Sequence, residues 1–308
     1  MARKPLTAIG LELGARLVTL IAYDISHRQV QLVAMENAPQ GWRENPSLLG
    51  EMLKDWLGTL GLDKKTSVLC ACVSAHDAPL RLIEIDPEES PEGALRDELT
   101  EWSGSPDTAF FVNGQALSKG PHGLPAQLLA AYPCERAEQL RAAFETSGFP
   151  LAELGLDALS VVNAFEKCQP SWQDHLAALV KIDAPIAQVS WVREGQFAGH
   201  AVAFAPADAD PLESLSTELL RILKDGEGLC GADASDCRAV FLCGEQGGDA
   251  GVASRLGAQL RADVQALDAF AHTPFPSLEG NTQQIAEIAP QCAAALGMAL
   301  SLAEGVAR

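Results

Sequence analysis

Residues 9–21 form an apolar run, a glycine turn at Gly14 and a second apolar run, broken only by Glu12, Arg16 and Thr19. That pattern predicts a strand hairpin buried on both faces, with one carboxylate near the bend. Residues 28–35 read as a third strand, and 46–60 place Leu49, Met52, Leu53, Trp56, Leu57 and Leu60 on one broad helical face. A short buried strand, 66–73, follows. Next, 79–85 alternates as a strand, 88–102 is an acidic amphipathic helix closed by a Gly-Ser-Pro turn, and 107–116 and 125–131 are two further strands. Helical spacing returns over 133–147 with Gly148 as its C-cap, and 150–156 is a return strand.

The opening order then recurs. After the turn-rich stretch 168–171, strands are expected at 176–182, 187–193 and 196–204, followed by a helix at 212–225. A buried strand at 239–243 leads into Gly244, Gly247 and Gly248. A helix at 250–260, a short strand at 264–267 and an alanine-rich helix at 284–303 close the chain. Three strands and a helix at the head of each half predict an α/β duplication, two lobes facing one cleft. The expected division is 1–78 for the first lobe, 79–150 for a small inserted α+β subdomain, 151–172 for the return to the first lobe, and 173–308 for the second lobe with its closing helix.

Composition narrows the function. The 308 residues are 47% hydrophobic and 20% charged, as in a soluble globular protein. Acidic residues outnumber basic ones 41 to 22, a net charge of −19, which argues against binding nucleic acid and favours a basic or neutral partner surface. The longest apolar stretches, such as 67–73 and 197–205, fall short of the ~20 residues of a membrane span. With no signal-peptide pattern at the N-terminus, a cytoplasmic location is expected. Eight cysteines are scattered; Cys70 and Cys72 alternate on a strand and suit core packing, and the histidines show no pairing by helical spacing, so no metal site is expected from either.

The hairpin supplies the candidate chemistry. Glycines at 10 and 14 let backbone N–H groups come close to an anion, and a carboxylate such as Glu12 can hold a hydrated Mg²⁺. The bland alternative is a pair of ordinary hairpin glycines beside a solvated edge charge.

Ile9-Gly-Leu-Glu-Leu-Gly14, the acidic helix Glu92-Gly-Ala-Leu-Arg-Asp-Glu-Leu-Thr-Glu-Trp102, Phe144-Glu-Thr-Ser-Gly-Phe149 leading into Gly155-Leu-Asp-Ala-Leu159 and Val162-Asn-Ala-Phe165, Ala239-Val-Phe-Leu-Cys-Gly244 and Ala295-Leu-Gly-Met-Ala-Leu300 follow one another in an order that resembles the PilM family of type IV pilus assembly proteins. These are relatives of the division protein FtsA. The resemblance spans nearly the whole chain and implies an actin-like ATPase (ribonuclease-H-like) fold.

It also implies a nucleotide cleft, at Gly10, Glu12, Gly14, Asp183, Gly244, Gly247 and Gly248. Several family features are altered there. Family members carry Asp where Glu12 stands, a hydroxyl near Ala15 or Arg16, and often a Lys near Thr19. Pro185 follows Asp183 where the family has glycine, which removes an N–H and fixes φ near −65°. Glu245 brings negative charge to the adenosine-side loop; beside a phosphate about 4 Å away it would be unfavourable by on the order of 4 kcal/mol.

The expectation is therefore a degenerate cleft with no cofactor, ATP and Mg²⁺ entering only if the cleft is functional, and no catalytic residue. By resemblance, the chain would be a cytoplasmic scaffold held at the inner membrane through the tail of a PilN-like membrane protein. That tail would lie in a groove by the inserted subdomain, near Arg81, Ile83, Ile85, Glu92 and Glu98; self-association is the other partnership the class admits. The alternatives are an active ATPase using Glu12 and Asp183, or a small-molecule kinase with Asp157 as base.

Overall fold

The computed structural model describes residues 7–84, 90–117, 120, 125–172, 174–231, 233–276 and 282–307, with the side chains of 91, 92, 94, 282, 306 and 307 outside that description. In the first lobe, β1 (Thr7–Leu13), β2 (Leu17–Asp24), β3 (Gln29–Asn37), β4 (Ser67–Val73) and β8 (Leu151–Leu156) form one sheet in the order β3-β2-β1-β4-β8. β1 pairs antiparallel with β2 and parallel with β4. The second lobe repeats the arrangement strand for strand. There β9 (Ala177–Asp183), β10 (Ile186–Arg193), β11 (Gln196–Phe204), β12 (Ala239–Cys243) and β13 (Asp263–Ala266) run in the order β11-β10-β9-β12-β13. The duplication expected from the sequence is thus present in the hydrogen bonding.

Helices cover these sheets because β1, β2, β9 and β10 are apolar on both faces and leave neither to water. In the first lobe α1 (Pro46–Thr59) packs on α3 (Cys134–Ser147); Gly50 is needed there, since a Cβ would stand 2.8 Å from the Ala143 carbonyl oxygen. α4 (Asp157–Cys168) and α7 (Thr282–Ala307) cross at the seam between the lobes. Their contact is close: a Cβ on Gly297 would lie 1.7 Å from the Ser160 carbonyl oxygen. In the second lobe α5 (Pro211–Asp225) buries Leu215, Leu219 and Leu223 and α6 (Ala250–Gln259) buries Val252 and Leu256 in one core.

The insert is a three-stranded sheet in the order β5-β7-β6, made of β5 (Leu80–Ile83), β6 (Phe110–Leu117) and β7 (Ala126–Pro133), with α2 (Pro91–Ser103) on one face. Leu95 and Leu99 of α2 pack on Leu129 and Ala131, forming a small core of its own.

Two expectations change. Chain order predicts α3 within the insert, whereas its Leu140 and Phe144 join the large first-lobe core and the helix packs on α1. The sequence offers no apolar stretch long enough to span a membrane; the helix over Gln283–Gly305 meets the length and composition of a span, but 61% of its apolar window is buried inside the fold, as in a core helix. The helix lies close against β1 at Gly10, where a Cβ would stand 2.0 Å from the Ala295 carbonyl oxygen and 3.1 Å from the Ala299 Cβ.

Candidate functional site

Four charged side chains meet where the two central strands face each other. Glu12 comes from the end of β1, Lys181 and Asp183 from β9, and Asp157 from the first turn of α4. Lys181 and Asp183 are two residues apart on a strand, so both side chains leave the same face, toward the first lobe. Lys181 Nζ lies 2.7 Å from Glu12 Oε1 and 3.0 Å from Asp157 Oδ2, and it also pairs with Asp183. Its side chain is 5% exposed.

The surroundings complete the network. Asp157 accepts from the Ala75 N–H at 2.7 Å through Oδ1 and from Gln188 Nε2 at 2.9 Å through Oδ2. Gln188 Nε2 also donates to Ser74 Oγ at 2.9 Å. Burial would raise the Asp157 carboxyl, but the Lys181 ammonium and these donors outweigh it and hold the pKa below the usual value. Glu12 goes the other way: burial pushes it to about 7, and although the Lys181 ammonium pulls it down by more than Asp183 and Asp157 push it up, the desolvation is not undone. For Lys181 burial opposes charge, and three carboxylates overcome it, so the ammonium is held well above its ordinary value. A carboxylate so tied down is a poor general base.

Several N–H groups of the turns that would wrap a triphosphate are engaged within the fold. The Gly14 N–H donates to the Leu17 carbonyl at 3.0 Å, and Trp42 Nε1 reaches the Gly14 carbonyl at 3.2 Å. On the other side, the N–H groups of Gly244, Glu245, Gln246 and Gly247 donate to Pro290 O, Asp183 Oδ1, Ile182 O and Gly244 O at 2.8–3.0 Å. The Ala184 N–H donates to Gln246 Oε1 at 2.9 Å. Gly244 has φ +85°, which explains its identity as a turn residue, and a Cβ on Gly247 would lie 2.4 Å from Cys243 Cα, whereas nothing stands within 4 Å of one on Gly248. Gly10 serves the contact with α7 and lies away from the turn. Of the seven residues expected at a nucleotide, the structure brings Glu12, Gly14, Asp183 and Gly244 to the seam.

The space left there is small. The cavity bordered by Gly14, Ala15, Ser74, Asp157, Lys181, Asp183 and Gln188 measures about 20 Å³, against roughly 300–1,000 Å³ for ordinary small-molecule pockets. The donor set does not fit a divalent cation together with a nucleotide, because an ammonium already stands among the three carboxylates.

A larger recess of about 480 Å³ lies between the insert sheet, β8, one side of α4 and Met298 and Ser301 of α7, with Gly195, Gln196 and Phe197 of the second lobe at its border. Phe111, Asn113 and Gln115 of β6 and Leu128, Ala130 and Tyr132 of β7 form one wall, with Glu153 and Gly155 of β8 opposite. β8 hydrogen-bonds only β4 among the described strands, so its other edge faces this recess. The partner residues expected from sequence lie elsewhere. Arg81 pairs with Glu98 at 2.7 Å, and Ile83 packs toward Leu95, all on the α2 face of the sheet. Ile85 and the Glu92 side chain lie outside the described residues. Alternation explains the difference: register pairs Arg81 with Leu129 and Phe111 with Tyr132, which are opposite faces.

Sequence reasoning passed over Lys181, Gln188 and the partner of Glu245. The signal for Lys181 was present as one cation in an otherwise apolar strand, in step with Asp183.

No protein-family model and no curated protein sequence matches the chain. Solved structures do. A chain of a PilM-PilN type IV pilus biogenesis complex aligns with a TM-score of 0.74 at 18% identity, over 96% of this chain and 98% of that one. A Bacteroides thetaiotaomicron protein with an actin-like ATPase fold gives 0.55 at 10% identity, over 85% and 91%. The ethanolamine utilization protein EutJ from Carboxydothermus hydrogenoformans gives 0.52 at 12%, over 97% and 91%. At these identities the likeness is one of architecture: the chain has the actin-like ATPase fold.

Proposed function

We propose that this protein is a docking scaffold of a type IV pilus or related secretion assembly platform, whose interlobe cleft no longer serves a nucleotide. Its partner would be the cytoplasmic N-terminal tail of a PilN-like inner-membrane protein, which would hold it at the cytoplasmic face of that membrane. One observation carries the reading: the recess beside the insert is open at about 480 Å³, while the cavity beside Lys181 and Asp183 at the seam measures only about 20 Å³. The fold likeness to a protein solved with PilN supports the choice of partner.

The recess suits an extended peptide. The outward edge of β8 offers backbone groups for an added strand, and the Phe111 and Tyr132 rings and Leu128 offer apolar contacts to alternate side chains. The net charge of −19 favours a tail carrying basic residues.

Calorimetric titration with a synthetic N-terminal peptide of a PilN-like protein from the same genome tests this. Binding that weakens as salt rises, and that falls at least about tenfold in Ala130→Trp, is expected. Absence of binding at low salt overturns the docking role. Saturable binding of Mg-ATP to the wild-type chain overturns the closed cleft.

A further inference from the structure

The cleft that the sequence resemblance implies would bring a nucleotide and its metal to the seam between the lobes, and here the residues do not fit that group. We infer that Lys181 is the resident cation of the interlobe site: its ammonium takes the place of a divalent metal among Glu12, Asp157 and Asp183, and so holds the two lobes together with neither metal nor nucleotide. The inference rests on the closed-cleft part of the proposed function and is independent of the docking partner.

Three features support it. First, the acceptors are arranged as a metal's would be. One oxygen from each of Glu12, Asp157 and Asp183 can be chosen so that all lie within 4.8 Å of one another, and Lys181 Nζ sits between them at 2.7 Å from Glu12 and 3.0 Å from Asp157. Three carboxylates so close repel strongly in a buried setting, and a cation at their centre relieves this. Second, the set draws on both lobes, since Glu12 and Asp157 belong to the first and Lys181 and Asp183 to the second. A cation carried on β9 therefore ties its own strand to β1 and α4, as a bridging ion would. Third, Gln188 contributes an oxygen with no role in the network as it stands. Its Nε2 serves Asp157 and Ser74, while Oε1 is buried and has no hydrogen-bond partner among the described residues. Gln188 borders the same small cavity as Lys181 and Asp183. A hard cation prefers six oxygen ligands or more, and turning the Gln188 amide over would present this oxygen, as a neutral ligand, on the side where Nε2 now meets Asp157.

An ammonium and a divalent ion differ in what they allow. The metal comes and goes with nucleotide and lets a cleft open and close; a lysine is covalently part of its strand and cannot leave. Closure then becomes a fixed property of the chain.

The test is to remove the ammonium and ask for the ion. In Lys181→Ala, Mn²⁺ should bind at one ion per chain, read by electron paramagnetic resonance. At about 100 times its dissociation constant it should raise the melting temperature by about 5 °C. The wild type should show neither effect, and Lys181→Ala combined with Asp183→Asn and Glu12→Gln should bind no ion. If Lys181→Ala does not fold in chelator, recovery of its circular dichroism on adding Mn²⁺ is the same expected result. Stoichiometric Mn²⁺ at the cluster of the wild type overturns the inference, as does a Lys181→Ala chain that binds no ion, whether folded or not. Wild-type Mg-ATP binding would defeat the closed cleft, and wild-type peptide titration reads the docking role, so the three failures are distinguishable.

Discussion

Arg16, in the turn between β1 and β2, donates from Nε at 3.0 Å and from Nη2 at 2.6 Å to Oε2 of Glu245, in the glycine loop after β12. The two residues are 229 positions apart and belong to different lobes. Glu245, which would repel a phosphate, is thus bound from across the cleft by an arginine. The Glu245 N–H donates to Asp183 Oδ1 and Asp183 pairs with Lys181, so the surface ion pair is linked to the buried cluster.

The Arg16 side chain is 58% exposed and that of Glu245 16%, so the pair sits between a surface and a buried ion pair. Its coupling energy, from a double-mutant cycle with Arg16→Ala and Glu245→Ala in urea melts, should be about 1 kcal/mol and should shrink as salt rises. Arg16→Ala alone should cost more than Glu245→Ala, since it leaves an enclosed carboxylate whose Oε1 already lacks a partner among the described residues. A coupling that is zero at low salt would show the contact to be ornamental.

Two groups with opposite shifts govern the pH dependence. Glu12 is raised from 4.5 to about 7, so its contribution is present below pH 4.5 and is lost as pH climbs through 7. The His200 imidazole is pushed from 6.5 to about 4, by burial first, with Arg81 adding repulsion and Asp157 partly opposing; its contribution is present above pH 6.5 and is lost as pH falls through 4. Each amounts to about 3 kcal/mol, with opposite slopes. Stability of the wild type should therefore change little between pH 4.5 and 6.5. Glu12→Gln removes one slope, and its denaturation midpoint should rise with pH across that window; a flat profile in the variant would show that His200 does not titrate as its burial requires.

Asp157 should be the costliest of the three carboxylates to neutralise. It accepts from Ala75, Gln188 and Lys181, and all three donors are buried with it. Asp157→Asn is expected to lose about 3–5 kcal/mol in chemical melts, the cost of leaving part of a buried charge network unpaired. Glu12, held near neutrality, should cost distinctly less as Gln. Equal losses would contradict the asymmetry in their hydrogen bonding.

The fold was legible because period and order are local properties. The apolar alternation of 9–21 and 176–204, repeated at the head of each half, was enough to anticipate two sheets of one design. The site was legible only in part. Glu12 and Asp183 stand out as carboxylates at strand ends, but their common partner is a matter of which residues face each other across the seam. Lys181 could be placed on a face by counting along β9; that this face meets β1 and α4 is a tertiary fact. The same limit applies to the insert. Alternation separates Arg81 and Ile83 from the Phe111 set, yet which face α2 covers depends on how Leu95 and Leu99 find Leu129. The α3 helix shows why linear boundaries slip, since it follows the insert in sequence and packs against α1.

Two glycines give opposite expectations and so test the packing directly. At Gly297 a methyl group would enter the α4–α7 contact 1.7 Å from the Ser160 carbonyl oxygen and 3.2 Å from the Ala164 nitrogen, both backbone atoms that cannot step aside without moving α4. Because α4 begins with Asp157, that movement would also pull on the Lys181 network. Gly297→Ala should cost about 3 kcal/mol or more, at the upper end of overpacking effects. Gly248 has open space where its Cβ would go and no positive φ, so Gly248→Ala should be neutral or stabilising by up to about 1 kcal/mol through the unfolded chain. Thermal melts of the two variants side by side decide the matter. A tolerated Gly297→Ala would mean the helices at the seam are not in the close contact described, and with it the rigid placement of Asp157 would fall.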